Sequence, residues 1–290
     1  TSLILNRLDG EETRELIQGV AARAGLAKDM IDAVIKRTDG VPLFAEELTR
    51  LMLESAGGLG EHEIPETLQD SLAARLDRLG RAKAIAQLGA VLGRQFPYQL
   101  LLAISPMRED ELRRGLAQLV DAQLIYERGS PPEATYQFKH ALIQDVAYEA
   151  LLKSKRRALH AEIAQTLESR FSDVARSQPE MLAHHYTQAR EPEKAVMWWR
   201  NAGRQSTQAT ADTEALDQLN RALAQLELLP ESPDRDSLET KIRIELSTPL
   251  VGIGGYTSDA LRTNTERSVA LFQRTRAEAL FPALAGQLSL

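Results

Sequence analysis

The hydrophobic period changes within residues 136–152, YQFKHALIQDVAYEALL, and that change limits the folds open to the chain. Tyr136 and Phe138 alternate with Gln137 and Lys139, the period of two that a half-buried strand needs. Further on, Leu142, Ile143, Val146, Ala147, Ala150 and Leu151 share one wide stripe of a helix. A strand therefore hands over to a helix at His140. That puts the imidazole near a first helical turn, where free backbone N–H groups and the dipole attract anions.

Upstream of this junction the chain reads as short helices. Asp9, with Glu12 three residues on, has the form of a capping box, and a short strand over 3–5 precedes it. Leu16, Ile17, Val20 and Ala21 form the face of a first helix that stops at Gly25. Met30, Ile31, Val34 and Ile35 form the face of a second, ending at Thr38, Asp39 and Gly40. Pro42 suits the first position of a third, with Phe44, Leu48, Leu51 and Met52 inward. Gly57, Gly58 and Gly60 mark a linker. Beyond Pro65 come a row of Leu68, Leu72, Leu76 and Leu79, a helix through Ile85, Leu88 and Leu92, a turn at Pro97, and helices over 98–104 and 109–121. Strands over 124–127 and 135–139 flank the loop Arg128, Gly129, Ser130, Pro131 and Pro132. Three helices, a strand, a wing and a strand are the order of a winged helix.

Downstream the chain reads as all helix. Leu159, Ile163, Leu167 and Phe171 make one ridge. Leu182, Ala183 and Tyr186, then Ala195, Trp199 and Ala202, match the spacing of one tetratricopeptide repeat, with a weaker echo at Ala215, Leu219 and Ala222. The small residues let two helices approach, and Tyr186 and Trp199 fill the space between them. Residues 249–256 read as a loop before a last helix over 258–281. A solenoid ends in a polar capping repeat; none is evident here, and the start lacks methionine, so the chain is expected to be cut from something longer.

Composition narrows the function. With 43% hydrophobic and 26% charged residues the chain is globular, and a net charge of -6 argues against a general nucleic-acid or membrane binder. The absence of cysteine removes thiolate chemistry and disulfides and suits a reducing cytoplasm. No apolar run nears the roughly 18 residues of a membrane span.

Three segments, TDGVPLFAEEL at 38–48, IPETL with RLDRL and LGAVLGRQF across 64–96, and FKHALIQD at 138–145, together resemble the STAND-type signal-transduction ATPases, of the kind fused to class III adenylate or guanylate cyclase domains. The resemblance covers roughly residues 1–230. It implies a mostly α fold: a small helical lid bundle at 1–56, a linker at 57–64, a winged helix with a short β-hairpin at 65–152, and an α-solenoid of tetratricopeptide-like helical hairpins at 153–290. It also implies nucleotide-facing roles, shared with a missing upstream domain, for Gly40, Pro42 and His140. In the family the lid proline packs on adenine and a winged-helix histidine approaches the ADP phosphates. The phosphate-cradling Gly-x-x-x-x-Gly-Lys-[Ser/Thr] loop and its acidic magnesium partner are absent from these residues. No catalytic residue, metal site or cofactor of its own is therefore expected in this segment; ATP or ADP with magnesium belongs to the parent protein.

Plainer readings stand beside these. Gly40 and Pro42 also suit an ordinary helix end and start, and a histidine at a strand–helix junction can be structural. His184 and His185, adjacent on a helix, should point apart and lack further ligands, so no metal is expected. Gly252, Gly254 and Gly255 lack the dinucleotide spacing and read as loop. Lys153, Lys155, Arg156 and Arg157 suit a solvated helix start. Glu109, Asp110 and Glu111 open the recognition-helix equivalent, where DNA phosphates would repel them, so the winged helix reads as a packing device. Tyr186, Trp198 and Trp199 are the candidates for a surface that receives a protein partner or small inducer. The competing functions are a winged-helix transcription regulator and a tetratricopeptide adaptor without nucleotide.

Overall fold

A computed structural model describes residues 7–21, 26–54 and 65–287, with side chains to residue 274. The strand expected at 3–5, the stop at Gly25 and the glycine linker lie outside the described residues. Contacts divide the chain into two compact units, 1–152 and 153–290. Among the described residues no helix is long and apolar enough to cross a membrane.

The first unit opens with α1 (Gly10–Val20), α2 (Lys28–Thr38) and α3 (Pro42–Glu54). Asp9 caps α1 as its spacing predicts: its carboxylate accepts from Glu11 and Glu12 N–H, and the Glu12 side chain returns to Asp9 N–H at 2.9 Å. Ile17, Ile31, Val34, Phe44, Leu48, Leu51 and Met52 form one buried core, and Leu68 and Ala74 of the next helix, α4 (Leu68–Arg78), pack on it. Bundle and winged helix thus share apolar surface.

The rest of the unit runs α5 (Arg81–Leu92), β1 (Gln95–Pro97), α6 (Tyr98–Ile104), α7 (Glu109–Asp121), β2 (Ile125–Arg128), β3 (Thr135–Phe138) and α8 (Ala141–Glu149). The hairpin is present, but the turn expected at Pro97 is a third strand. The sheet order is β1-β3-β2, all antiparallel, with Phe96 opposite Tyr136 and Ile125 opposite Phe138. Three residues are too few to show a period in sequence, so β1 became visible only through its partner. Pro97 is tolerated because it ends an edge strand, where no ladder donor is lost. Phe96 stands 6.0 Å from the Tyr136 ring and 5.7 Å from Phe138. Gly89 of α5 makes room for it: a Cβ there would lie 2.6 Å from the Phe96 ring.

The second unit is an α-solenoid: α9 (Lys153–Arg170), short α10 (Ser172–Ser177), α11 (Pro179–Ala189), α12 (Pro192–Gln208), α13 (Asp212–Leu226), α14 (Pro233–Gly254) and α15 (Asp259–Gln287). Successive long helices pack on one another, α9 on α11, α11 on α12 and so on to α15. Leu182, Ala183, Tyr186, Ala195 and Ala202 are buried at the seams, where the repeat spacing put them. Gly203 lets α13 come close, since a Cβ there would meet Leu219 Cγ at 2.5 Å.

Residues 249–254 are not a loop, as expected, but the end of α14 with Pro249 inside the helix. An interior proline costs about 3 kcal/mol. Burial of Ile242, Leu246 and Pro249 along one face, and the Arg200–Glu245 ion pair at 2.7 Å, favour keeping the helix.

Candidate functional site

The candidate site of the first unit begins where α2 ends. Asp39 and Gly40 both have positive φ, 48° and 70°. A Cβ on Gly40 would lie 2.1 Å from the Leu8 carbonyl oxygen, and Leu8 N–H donates to Gly40 C=O at 2.8 Å. Gly40 is buried against chain, so its identity follows from backbone packing. Pro42 is exposed at the start of α3 and open to a partner.

One turn into α3, Glu46 accepts from Lys139 Nζ at 2.5 Å and from Arg50 at 2.9 Å. Lys139 and Glu46 are 93 residues apart in sequence, so this pair ties the proline-bearing helix to the strand–helix junction. Burial by itself would lift the Glu46 carboxyl; the hydrogen bonds from Lys139 and Arg50, with their charge, outweigh it and hold the group below the ordinary range. Next to Lys139, His140 is the N-cap of α8 but makes no capping bond, and its Nε2 is buried without a hydrogen-bond partner. A buried nitrogen left unpaired is costly, and natural chains rarely keep one without a use.

Beneath this pair lies Arg75, 1% exposed. It donates to Glu47, to Glu54 at 2.8 Å and to the Ala122 carbonyl at 2.6 Å. One guanidinium therefore joins α3, α4 and the end of α7. Burial raises the Glu47 carboxyl above its ordinary value; Arg75 opposes that without overcoming it, and the neighbouring Glu46 charge adds to the rise. Glu47 Oε1, Arg50 Nε and Ser71 Oγ are also buried without partners. The sequence reading missed Arg75, Glu47 and Lys139 as site residues. The available signal was position: Arg75 lies three residues after Leu72 and beside Leu76, on the apolar face of its helix.

On α7 the acidic opening is neutralised locally. Glu109 is bonded by Tyr98 at 3.0 Å and Arg113 at 2.7 Å, and Asp110 by Arg114 at 3.2 Å. The two arginine pairs lie within α7 itself, and the Tyr98 hydroxyl is the contact that reaches across from α6.

In the second unit the partner candidates need correction. Tyr186 is 0% and Trp199 6% exposed. Tyr186 donates to Glu168, and Trp199 Nε1 donates to Thr187 Oγ1 at 2.9 Å. Both are seam-filling core residues and present nothing to a partner; only Trp198 is half-exposed. The histidines also differ from expectation. His184 and His185 do not diverge: both rings approach His160 of α9, at 5.8 Å and 5.0 Å, and stand 5.6 Å from each other. Adjacent helical residues are separated by about 100°, not 180°, so two long side chains can flank a ring from the facing helix. His160 Nδ1 lies 2.8 Å from His185 Nδ1, a bond that needs one ring to donate and the other to accept. Burial depresses both, His160 to about 4 and His185 to about 3. Among the described residues no group of three ligating side chains is arranged to hold a metal. The basic run at the start of α9 is largely solvated, with Arg157 bonded to the Ala189 carbonyl at 2.8 Å.

No family model matches the chain. It is 29% identical over 284 residues to an uncharacterized protein of Rhizobium meliloti (strain 1021), a match that covers 94% of this chain and 28% of that protein. Among solved structures, a signal transduction ATPase with numerous domains (STAND) protein with a tetratricopeptide repeat sensor, from Pyrococcus horikoshii, is 13% identical with a TM-score of 0.44. That match covers 95% of this chain and 42% of that one. The chain thus spans less than a third of its curated relative and less than half of its structural neighbour.

Proposed function

We propose that this chain is the regulatory and scaffold part of a multidomain signal-transduction ATPase, of the kind joined to class III cyclase domains. In this reading α1–α3 and the winged helix close on ATP or ADP held with magnesium by an upstream domain. The helical repeats receive a protein partner or small inducer, in the cytoplasm. The chain is not itself an enzyme, because phosphoryl transfer needs a phosphate cradle, a lysine and a metal ligand that this sequence lacks.

The observation that carries the reading is the Lys139–Glu46 pair. It couples the helix that starts at exposed Pro42 to the junction where His140 keeps an unpaired buried nitrogen. Two segments that would face one nucleotide are thereby linked through a single ion pair. A ligand that prefers one arrangement of the two shifts the population of both.

The test uses the parent protein with its upstream domain. His140→Ala is expected to speed release of a fluorescent ADP analogue about tenfold or more, the loss of one charge-assisted contact. Glu46→Gln is expected to act in the same direction, by loosening Lys139. Unchanged ADP release in both variants sinks the proposal.

A further inference from the structure

The second unit contains a polar pocket that the proposed gating does not use. It has a volume of about 250 Å³ and lies between α13, α14 and α15, lined by Leu223, Leu226, Glu227, Arg235, Glu239, Arg243 and Arg267. Three guanidinium groups face two carboxylates, so one positive charge is left over. The pairing shows which one. Glu239, 6% exposed, is held by Arg243 Nε at 2.8 Å and by Arg267 at 2.9 and 3.1 Å. Burial alone would raise that carboxyl; the Arg267 and Arg243 hydrogen bonds outweigh it and keep the group below its ordinary value, fully ionised. Arg243 also reaches Asn264 at 3.4 Å, so two of the three arginines are anchored.

Arg235, in the first turn of α14, is different: its Nε is buried and has no hydrogen-bond partner. Arg235 thus lines the pocket without the carboxylate that holds Arg243 and Arg267, and its guanidinium is the one left to meet an incoming oxyanion. Its fork matches carboxylate and phosphate oxygens in pairs. Beside it, Leu223 and Leu226 give the pocket an apolar wall.

We propose that this pocket binds a small organic oxyanion, a carboxylate or a phosphate monoester, with Arg235 as its primary ligand and the hydrocarbon part resting on Leu223 and Leu226. Arg243 and Arg267, fixed by Glu239, set the positive field and do not need to move. The proposal names a ligand class for the receiver role given above and rests on that role only for its biological meaning; the pocket itself is judged by direct binding.

The experiment is calorimetric titration of the whole chain, in a buffer of weakly coordinating ions, with phenyl phosphate, phenylacetate and inorganic phosphate. One of the two aromatic anions is expected to bind with one-to-one stoichiometry and more tightly than inorganic phosphate, and which one binds decides between phosphate ester and carboxylate. Arg235→Gln is expected to weaken binding about tenfold or more, and Glu227→Gln, which removes an exposed negative charge at the rim, to tighten it. Opposite signs from two substitutions on half-buried or exposed side chains cannot come from misfolding. Absence of binding by all three anions at millimolar concentration overturns the proposal, as does equal binding by wild type and Arg235→Gln. Loss of anion binding with nucleotide gating intact would dismiss the pocket alone; the reverse would dismiss the gating.

Discussion

Arg75 shows how much a single position can decide. It is a charged residue, 1% exposed, within a leucine-rich face, and its partners Glu47, Glu54 and the Ala122 carbonyl come from positions up to 47 residues away. Removing one member of a buried ion pair leaves an uncompensated charge, which costs more than the pair contributes. Arg75→Met is therefore expected to destabilise the first unit by about 3–5 kcal/mol in urea denaturation. The double variant Arg75→Met with Glu47→Met should recover most of that loss, since both charges leave together. Equal stability of the single variant and wild type would mean that water reaches Glu47. The sequence displayed Arg75 on the apolar face of α4, but it could not display the carbonyl of Ala122, and so the meaning of the arginine stayed hidden. Gly40 is the opposite case. Its placement before Pro42 was legible, and the close approach of Leu8 supplies a structural reason for it.

Between elements, the contact of α9 with α11 carries the next prediction. His160 and His185, each 2% exposed, are bonded to each other through one shared proton, an arrangement lost when both rings are protonated. Burial is the largest cause for both rings, His184 on α11 acts on each and Arg156 on α9 on His160, so the folded values fall to about 4 and about 3 from an ordinary 6.5. Between those values and 6.5 the unfolded chain binds more protons than the folded one. The contribution to stability is therefore complete above about pH 6.5 and is lost as pH falls, down to about 4 for His160 and about 3 for His185. At pH 5 the loss is on the order of 2 kcal/mol per imidazole as an upper bound. A His160→Phe, His185→Leu double variant should flatten the fall in Tm between pH 7 and pH 5; an unchanged slope would show that the rings are not the source. Period alone placed His160 one residue after Leu159 on the buried ridge. The convergence of His184 and His185 on it required the packing of a second helix.

At the scale of the whole molecule, each of the two units owns its hydrophobic core, which is the condition for folding alone. Residues 1–152 and 153–290 expressed separately are each expected to unfold cooperatively. The acid loss between pH 6.5 and 5 is expected only in 153–290, as followed by circular dichroism. An unfolded first unit, or acid sensitivity shared equally between the two, would refute that division.

The helices of the first unit, the switch from strand to helix at His140 and the small-residue seams of the solenoid were determined by the sequence itself, because period, caps and residue size are local properties. The third strand, the helical course through Pro249, the burial of Tyr186 and Trp199, the meeting of Lys139 with Glu46 and the lone donor of Arg235 were decided only in three dimensions. Each depends on a partner distant in sequence or on the next helix, and neither hydrophobic period nor propensity carries information about which side chain that partner presents.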